Sequence, residues 1–318
     1  MVELRYRYGR AEPLGLVYHL EKPAVFCGMD RRDAMDYSGA VRARLDSFDE
    51  IPFVDFIDLS AEMISDRDIR RKYAVLYNYL KSVYAGEIRE PFFVFIGGTA
   101  SSGKDTLVMN LGHYLHGFDR VTNVDKVRER ARTELEDQYR GRIPRAYQPI
   151  FERLTSLDKS GIQFQNQYVQ GKLREWEIDE VYRECNKSGG FHPWYAFQGI
   201  NVSPGFESSI EGLSKILVIL SPPADFIGSR VSVRQEKEQR LARLGDLSES
   251  DRSYAERQLE LEHENSFRYR GFLEKEALRR GTPLITQGDE LGVLQNFADY
   301  FIDALEKANS SLSYYQAV

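Results

Sequence analysis

Cysteine is close to absent from this sequence: Cys27 and Cys185 are the two among 318 residues. Two thiols exclude a disulfide framework and a cysteine-based zinc site, and both read as buried or inert. Long hydrophobic runs are missing as well, and no apolar stretch approaches the roughly 20 residues needed to cross a bilayer. The first residues, Met-Val-Glu-Leu-Arg-Tyr-Arg-Tyr, carry charge where a signal peptide would carry an apolar core. Positive charge is not in excess. A net charge of −6 and a pI near 5.6 argue against broad binding to nucleic acid or a membrane surface, and leave room for a local basic groove. Internal repeats and low-complexity tracts are absent. His113, His116, His192 and His263 show no spacing that would join cysteine or acid partners around a metal. These absences lead to the expectation of a soluble, cytoplasmic protein, and a hydrophobic content of 42% supplies its globular core.

What is present is organised around residues 91–106, Pro-Phe-Phe-Val-Phe-Ile-Gly-Gly-Thr-Ala-Ser-Ser-Gly-Lys-Asp-Thr. Phe92 to Ile96 has the length and the aromatic and β-branched content of a buried parallel strand. It runs into Gly98-Thr99-Ala100-Ser101-Ser102-Gly103-Lys104, which has the G-x-x-x-x-G-K spacing of a phosphate-binding loop. A helical pattern follows, with Leu107, Leu111 and Leu115 four apart. Strand, glycine loop and helix together give the motif its context. Glycines let backbone N–H groups converge into an anion nest at a helix N-terminus. Lys104 would reach the terminal phosphates of ATP, and a hydroxyl after it ordinarily holds Mg²⁺. Here Asp105 follows the lysine and Thr106 comes one later.

Around this centre the chain alternates strands and helices. Val2 to Tyr8 alternates like a strand, Asp30 to Leu45 is helical, and Ser65 is expected to cap a helix carrying Ile69, Tyr73, Leu76, Tyr77 and Leu80. Gly86 and Pro91 mark a domain boundary near residue 86, dividing 1–85 from 86–318. Arg120–Val124, Trp194–Phe197, Lys215–Leu220 and Thr282–Thr286 read as further strands. Ile162–Cys185, 250–279 and Val293–Leu305 read as helices. Mostly apolar strands alternating with helices imply an α/β fold, a parallel sheet with helices on both faces plus a small N-terminal domain.

Three stretches together resemble archaeal 2-phosphoglycerate kinase: Ile96-Gly97-Gly98-Thr99 through Gly103-Lys104, Asp125-Lys126-Val127-Arg128-Glu129, and Gln198-Gly199-Ile200-Asn201-Val202-Ser203-Pro204-Gly205-Phe206. That family shows Ile-Gly-Gly-x-x-Gly-x-Gly-Lys-Ser-Thr, Asp-x-Ile-Arg-Glu and Glu-Gly-Val-His-Leu-Val-Pro-Gly in the same order. Three positions depart: Asp105 stands for Ser, Gln198 for Glu and Asn201 for His. The resemblance implies a P-loop kinase core of nucleotide-kinase type, with residues 1–85 similar to an ATP-cone. It also implies phosphoryl transfer from ATP to a hydroxyl of a small phosphorylated acid.

Phosphoryl transfer needs positioning and charge neutralisation more than covalent chemistry. Lys104 is therefore expected to neutralise β/γ-phosphate charge, with residues 98–106 around the nucleotide and Thr106 or Asp105 on Mg²⁺. A helix N-terminal acid answering the dipole is an equal reading of Asp105. Asp125, at a strand's carboxyl end, is expected to accept the substrate hydroxyl proton or to hold Mg²⁺ through water, and it can also cap the next helix. Arg128 suits a substrate phosphate or carboxylate. Gln198 and Asn201 can orient substrate or water but cannot act as bases. Arg230 and Arg234, with Arg240, resemble a lid that brings positive charge to the transition state. The partners expected are ATP and a small-molecule or nucleotide acceptor, with no membrane. Nucleic acid enters only as the substrate of a hydroxymethyl-base DNA kinase, for which Arg140, Arg142, Arg145 and Arg153 would form the groove. A nucleotide-binding regulator without catalysis is a third reading, and a homo-oligomer is compatible with all of them.

Overall fold

The computed structural model describes residues 3–5, 19–47, 50–88, 91–99, 101–118, 121–124, 193–200, 202–209, 214–229 and 267–315. Its elements in chain order are β1 (Glu3–Arg5), α1 (Glu21–Phe26), α2 (Arg31–Leu45), β2 (Glu50–Pro52), α3 (Phe53–Glu62), α4 (Arg67–Tyr84), β3 (Phe92–Gly98), α5 (Lys104–Tyr114), β4 (Val121–Asn123), β5 (Trp194–Gly199), β6 (Lys215–Leu220), β7 (Leu284–Ile285) and α6 (Glu290–Tyr315). Residues 224–229 and 267–280 are also helical.

The five strands β3 to β7 form one sheet in the order β4-β5-β3-β6-β7. Every pairing in it is parallel. The strand content explains this arrangement. Phe92, Val94 and Ile96 pack into a cluster on one face, while Phe93 and Phe95 pack into a second cluster on the other. Trp194 and Ala196 alternate in the same way with Tyr195 and Phe197. A strand buried on both sides must be apolar throughout, which is why β3 shows no polar alternation. The protein is thus an α/β fold with helices on a parallel sheet. Strand order also fixes where a crevice opens. The chain leaves β3 toward the β4 edge, whereas after β5 and β6 it moves toward the β7 edge, so β3 lies at a switch point.

One face is covered by α5, α6 and the helices of residues 20–84, all in a single apolar cluster. Phe301 of α6 ties it together, meeting Phe92 at 5.5 Å, Trp194 at 5.3 Å and Phe26 at 6.0 Å between ring centroids, each edge to face. Beyond this layer β1 and β2 pair in parallel as a separate two-stranded sheet. The opposite face holds an aromatic stack of Phe93, Phe95, Phe197 and Phe206, closed by Tyr269, Leu273 and Ala277 of segment 267–280.

Local signals act as expected with small displacements. Asp30 caps α2 by accepting from the Arg32 N–H at 2.8 Å. The cap of α4 is Asp66, one residue after the expected Ser65, and its carboxylate accepts from the N–H groups of Asp68 and Ile69. A carboxylate answers the positive end of the helix dipole better than a hydroxyl does, so the acid takes the position. β7 is shorter than the expected Thr282–Thr286, and α6 extends well past Val293–Leu305 at both ends. Among the described residues no helix is long and apolar enough to cross a membrane.

Candidate functional site

The site lies where β3 ends and α5 begins. Gly97 is required by close approach: a Cβ there would collide with the Val202 carbonyl oxygen and come within 2.6 Å of Ile219 Cδ1. Gly98 has φ +148°, and a Cβ on it would sit 2.6 Å from Ser102 Oγ and 2.7 Å from the Leu220 carbonyl oxygen. The backbone then turns through Ser101 at φ 61° and Gly103 at φ 93°. Left-handed residues alternating with ordinary ones aim successive N–H groups inward, the geometry of an anion nest. Gly103 occupies the N-cap of α5 and offers no side chain to its first-turn N–H groups, which leaves those donors for a ligand.

Lys104 folds back over this loop. Its Nζ donates to the Gly98 carbonyl at 3.0 Å and the Thr99 carbonyl at 2.6 Å. The side chain is 9% exposed and buried beside three polar residues that are more deeply buried: Thr99 at 2%, Ser102 at 3% and Gln198 at 6%. Thr99 Oγ1, Ser102 Oγ and Gln198 Oε1 have no hydrogen-bond partner among the described residues. Burying a polar atom without a partner costs about 1–3 kcal/mol, so three at one loop make a cluster that a ligand would satisfy.

Gln198 reaches the loop from β5, the strand beside β3, where it stands opposite Ile96. Its Nε2 donates to Asp105 Oδ1 at 2.6 Å. Chemistry fixes the orientation of this amide, because only its NH₂ can face a carboxylate. The carbonyl oxygen is left as a pure acceptor. Two of the three positions that depart from the resembled family are thus bonded to one another. Asp105 is exposed and Thr106 half-buried in the first turn of α5. Among the described residues no group of three or more His, Cys, Asp or Glu could hold a metal ion. A Mg²⁺ ion here would fit the mode in which one or two protein groups act together with phosphate oxygens and water.

The segment after β5 is held as structure. Val202 and Phe206 are fully buried, and Tyr269 Oη donates to the Ile200 carbonyl at 2.7 Å. A feature that the sequence reading missed lies one residue past β6, beside the loop. Ser221 Oγ donates to Glu274 Oε1 at 2.5 Å, and Arg270 Nε donates to Ser221 Oγ at 3.0 Å. Arg270 and Glu274, four apart on segment 267–280, form an ion pair at 3.0 Å. A serine directly after an apolar strand was the available signal; nothing in the sequence tied it to residues about fifty positions later.

Of the sequence-predicted site residues, the structure brings together Gly98, Thr99, Ser101, Ser102, Gly103, Lys104, Asp105, Thr106 and Gln198. Ala100, Asp125, Arg128, Asn201, Arg230 and Arg234 lie outside the described residues, as do Arg140, Arg142, Arg145, Arg153 and Arg240. No protein-family model matches the chain, and no curated protein matches it at a significant level.

Proposed function

We propose that the protein is an ATP-dependent P-loop kinase that transfers the γ-phosphoryl group to a hydroxyl of a small anionic metabolite resembling 2-phosphoglycerate. One observation carries this reading: three buried oxygens without partners among the described residues gather at the Lys104 loop, which is built of left-handed turns at a helix N-terminus. Such a loop is unfavourable when empty and gains on receiving phosphate oxygens. Its place at the carboxyl end of the switch-point strand supports the same reading.

ATP with Mg²⁺ would supply the transferable phosphoryl group and neutralise its charge. The chain's own groups do the positioning. Lys104 exchanges its two carbonyl partners for phosphate oxygens, and the hydroxyls of Thr99 and Ser102, which can donate as well as accept, face the same anion. Asp105 and Thr106 are the metal-side groups, and Gln198 holds the Asp105 carboxylate in place. Its free carbonyl oxygen is placed to accept from a hydroxyl. The acceptor class rests on the sequence resemblance, and the exchange of Ser and Glu for Asp105 and Gln198 keeps one carboxylate and one neutral group in the pair.

The deciding experiment measures ATP consumption with Mg²⁺ against phosphorylated hydroxy acids, nucleosides, nucleotides and hydroxymethylated DNA, with Lys104→Ala as control. Turnover on 2-phosphoglycerate that disappears in the variant is the expected result. Turnover confined to a nucleoside or DNA acceptor keeps the kinase and removes the metabolite. ATP binding with no turnover on any acceptor makes the protein a nucleotide-binding regulator.

A further inference from the structure

A second cavity lies at the far end of the helix that starts at the phosphate-type loop. It is an open pocket of about 150 Å³ between α1, α4 and the carboxyl end of α5. That is the size of an apolar cavity that takes up benzene. Leu76, Leu80 and the ring of Trp194 give it an apolar part. The Trp194 indole N–H is already spent on the His116 carbonyl at 2.8 Å. Lys22 and His113 line it as well, and no Asp or Glu is among the described residues that line it. The Lys22 ammonium has no hydrogen-bond or ion-pair partner among the described residues. Glu21, the acid beside Lys22 in the chain, is already engaged by Ser38 at 3.1 Å, His19 at 3.3 Å and Arg42 at 3.5 Å. Arg31 reaches the same wall, donating from Nη2 to Tyr114 Oη at 3.0 Å.

We propose that this cavity binds a compact organic anion, a carboxylate or phosphate monoester whose apolar body is no larger than a benzene ring, with Lys22 and His113 facing the charged head. Apolar side chains lining the same cavity as an unpaired ammonium and an imidazole favour a ligand with one charged end. Electrostatics at His113 agree. Burial lowers the proton affinity of His113, as do Lys22, Arg31 and His19, with Glu21 opposing them. An anion would offset that repulsion, so its binding draws a proton onto His113 and tightens as pH falls through the titration of this histidine.

The test follows the histidine ring signals of the full-length protein by NMR while benzoate, phenyl phosphate or the neutral analogue benzamide is added. Benzoate or phenyl phosphate is expected to bind and to raise the His113 titration midpoint, with benzamide at least about tenfold weaker. Lys22→Met should weaken the anion by about tenfold or more, the loss of one charge-assisted contact. His113→Gln, an exposed position, should bind with a flattened pH dependence. Lys104→Ala should bind the anion as the unmodified chain does, which separates this cavity from the loop whatever the fate of the kinase reading. Equal binding of benzamide and benzoate, indifference to Lys22→Met, or no binding of either anion at millimolar concentration overturns the proposal.

Discussion

The loop at residues 98–104 and the helical layer at residues 20–84 both bury polar side chains, and they treat them differently. In the layer, Tyr37 donates to the Ser60 carbonyl at 3.1 Å, Ser60 to the Ile57 carbonyl at 3.0 Å, and Tyr79 to the Pro193 carbonyl at 3.3 Å. The hydroxyls of Tyr73 and Tyr77 lack a partner of good geometry, yet their rings stack at 4.3 Å and burial holds both phenols firmly neutral. At the loop the orphaned atoms border a charged lysine and a turn of left-handed backbone. Apart from those two phenols, polar burial in the layer is settled by the chain itself, whereas at the loop three orphaned oxygens gather beside one lysine. The first region should therefore govern stability and the second ligand binding, and substitutions can pull the two apart.

The largest effect belongs to the layer. Phe301→Ala removes the ring that meets Phe26, Phe92, Phe297 and Trp194 and should lower the unfolding free energy by about 3–5 kcal/mol in urea titration. The folded fraction should bind Mg-ATP as before. A large loss of ATP affinity in folded Phe301→Ala would show that the two regions are not separable.

Lys104→Ala is the converse. Turnover should fall by about 10²–10³ or more, as when one positioned donor to developing charge is removed, while the melting temperature moves little. Thr99→Val sharpens the comparison because it changes one buried atom. Removing a hydroxyl that has no partner should leave stability unchanged or raise it by about 1 kcal/mol. Calorimetry should show Mg-ATP bound about tenfold more weakly. A destabilised Thr99→Val with normal ATP affinity would make the hydroxyl structural and sink the assignment of the cluster.

The degree to which these regions could be read in the sequence follows the same division. Glycine spacing, an aromatic strand and a leucine repeat located the loop, β3 and α5 because each is a local pattern enforced by backbone geometry. β5 and β6 were legible as strands for the same reason. The Gln198–Asp105 bond spans 93 residues, and the collision that demands glycine at 97 comes from Val202 on another strand's loop. Neither leaves a local trace. The Asp66 cap was missed by one position because Ser65 and Asp66 both satisfy the capping pattern, and only the dipole's preference for a carboxylate separates them. The cavity beyond α5 combines His19, Lys22, Leu80, His113 and Trp194, residues that no spacing rule would join.

The smallest effect tests whether the layer's surface charges matter to its stability at all. Lys72 bridges α4 to α6, with Nζ 2.6 Å from Asp68 Oδ2 and 2.6 Å from Asp299 Oδ1. Burial would lower the lysine's affinity for its proton, but hydrogen bonds to Asp299 and Asp68 outweigh it and raise the pKa. The Lys72 ammonium in turn holds the Asp68 carboxyl below its ordinary range. The signs follow from linkage. The lowered acid contributes stability above the ordinary carboxylate range and loses it as pH falls through the folded value. The raised lysine contributes below its ordinary range and loses it as pH rises through the folded value. Both acids are more than half exposed, so solvent screening keeps the whole bridge to about 1 kcal/mol or less. Lys72→Met should therefore cost that much near neutral pH in low salt. The difference from the unmodified chain should shrink in acid, in strong alkali and at high ionic strength. A cost that stays constant from neutral pH into acid would mean that the lysine stem, packed and only 14% exposed, holds α4 to α6 by apolar contact rather than by charge.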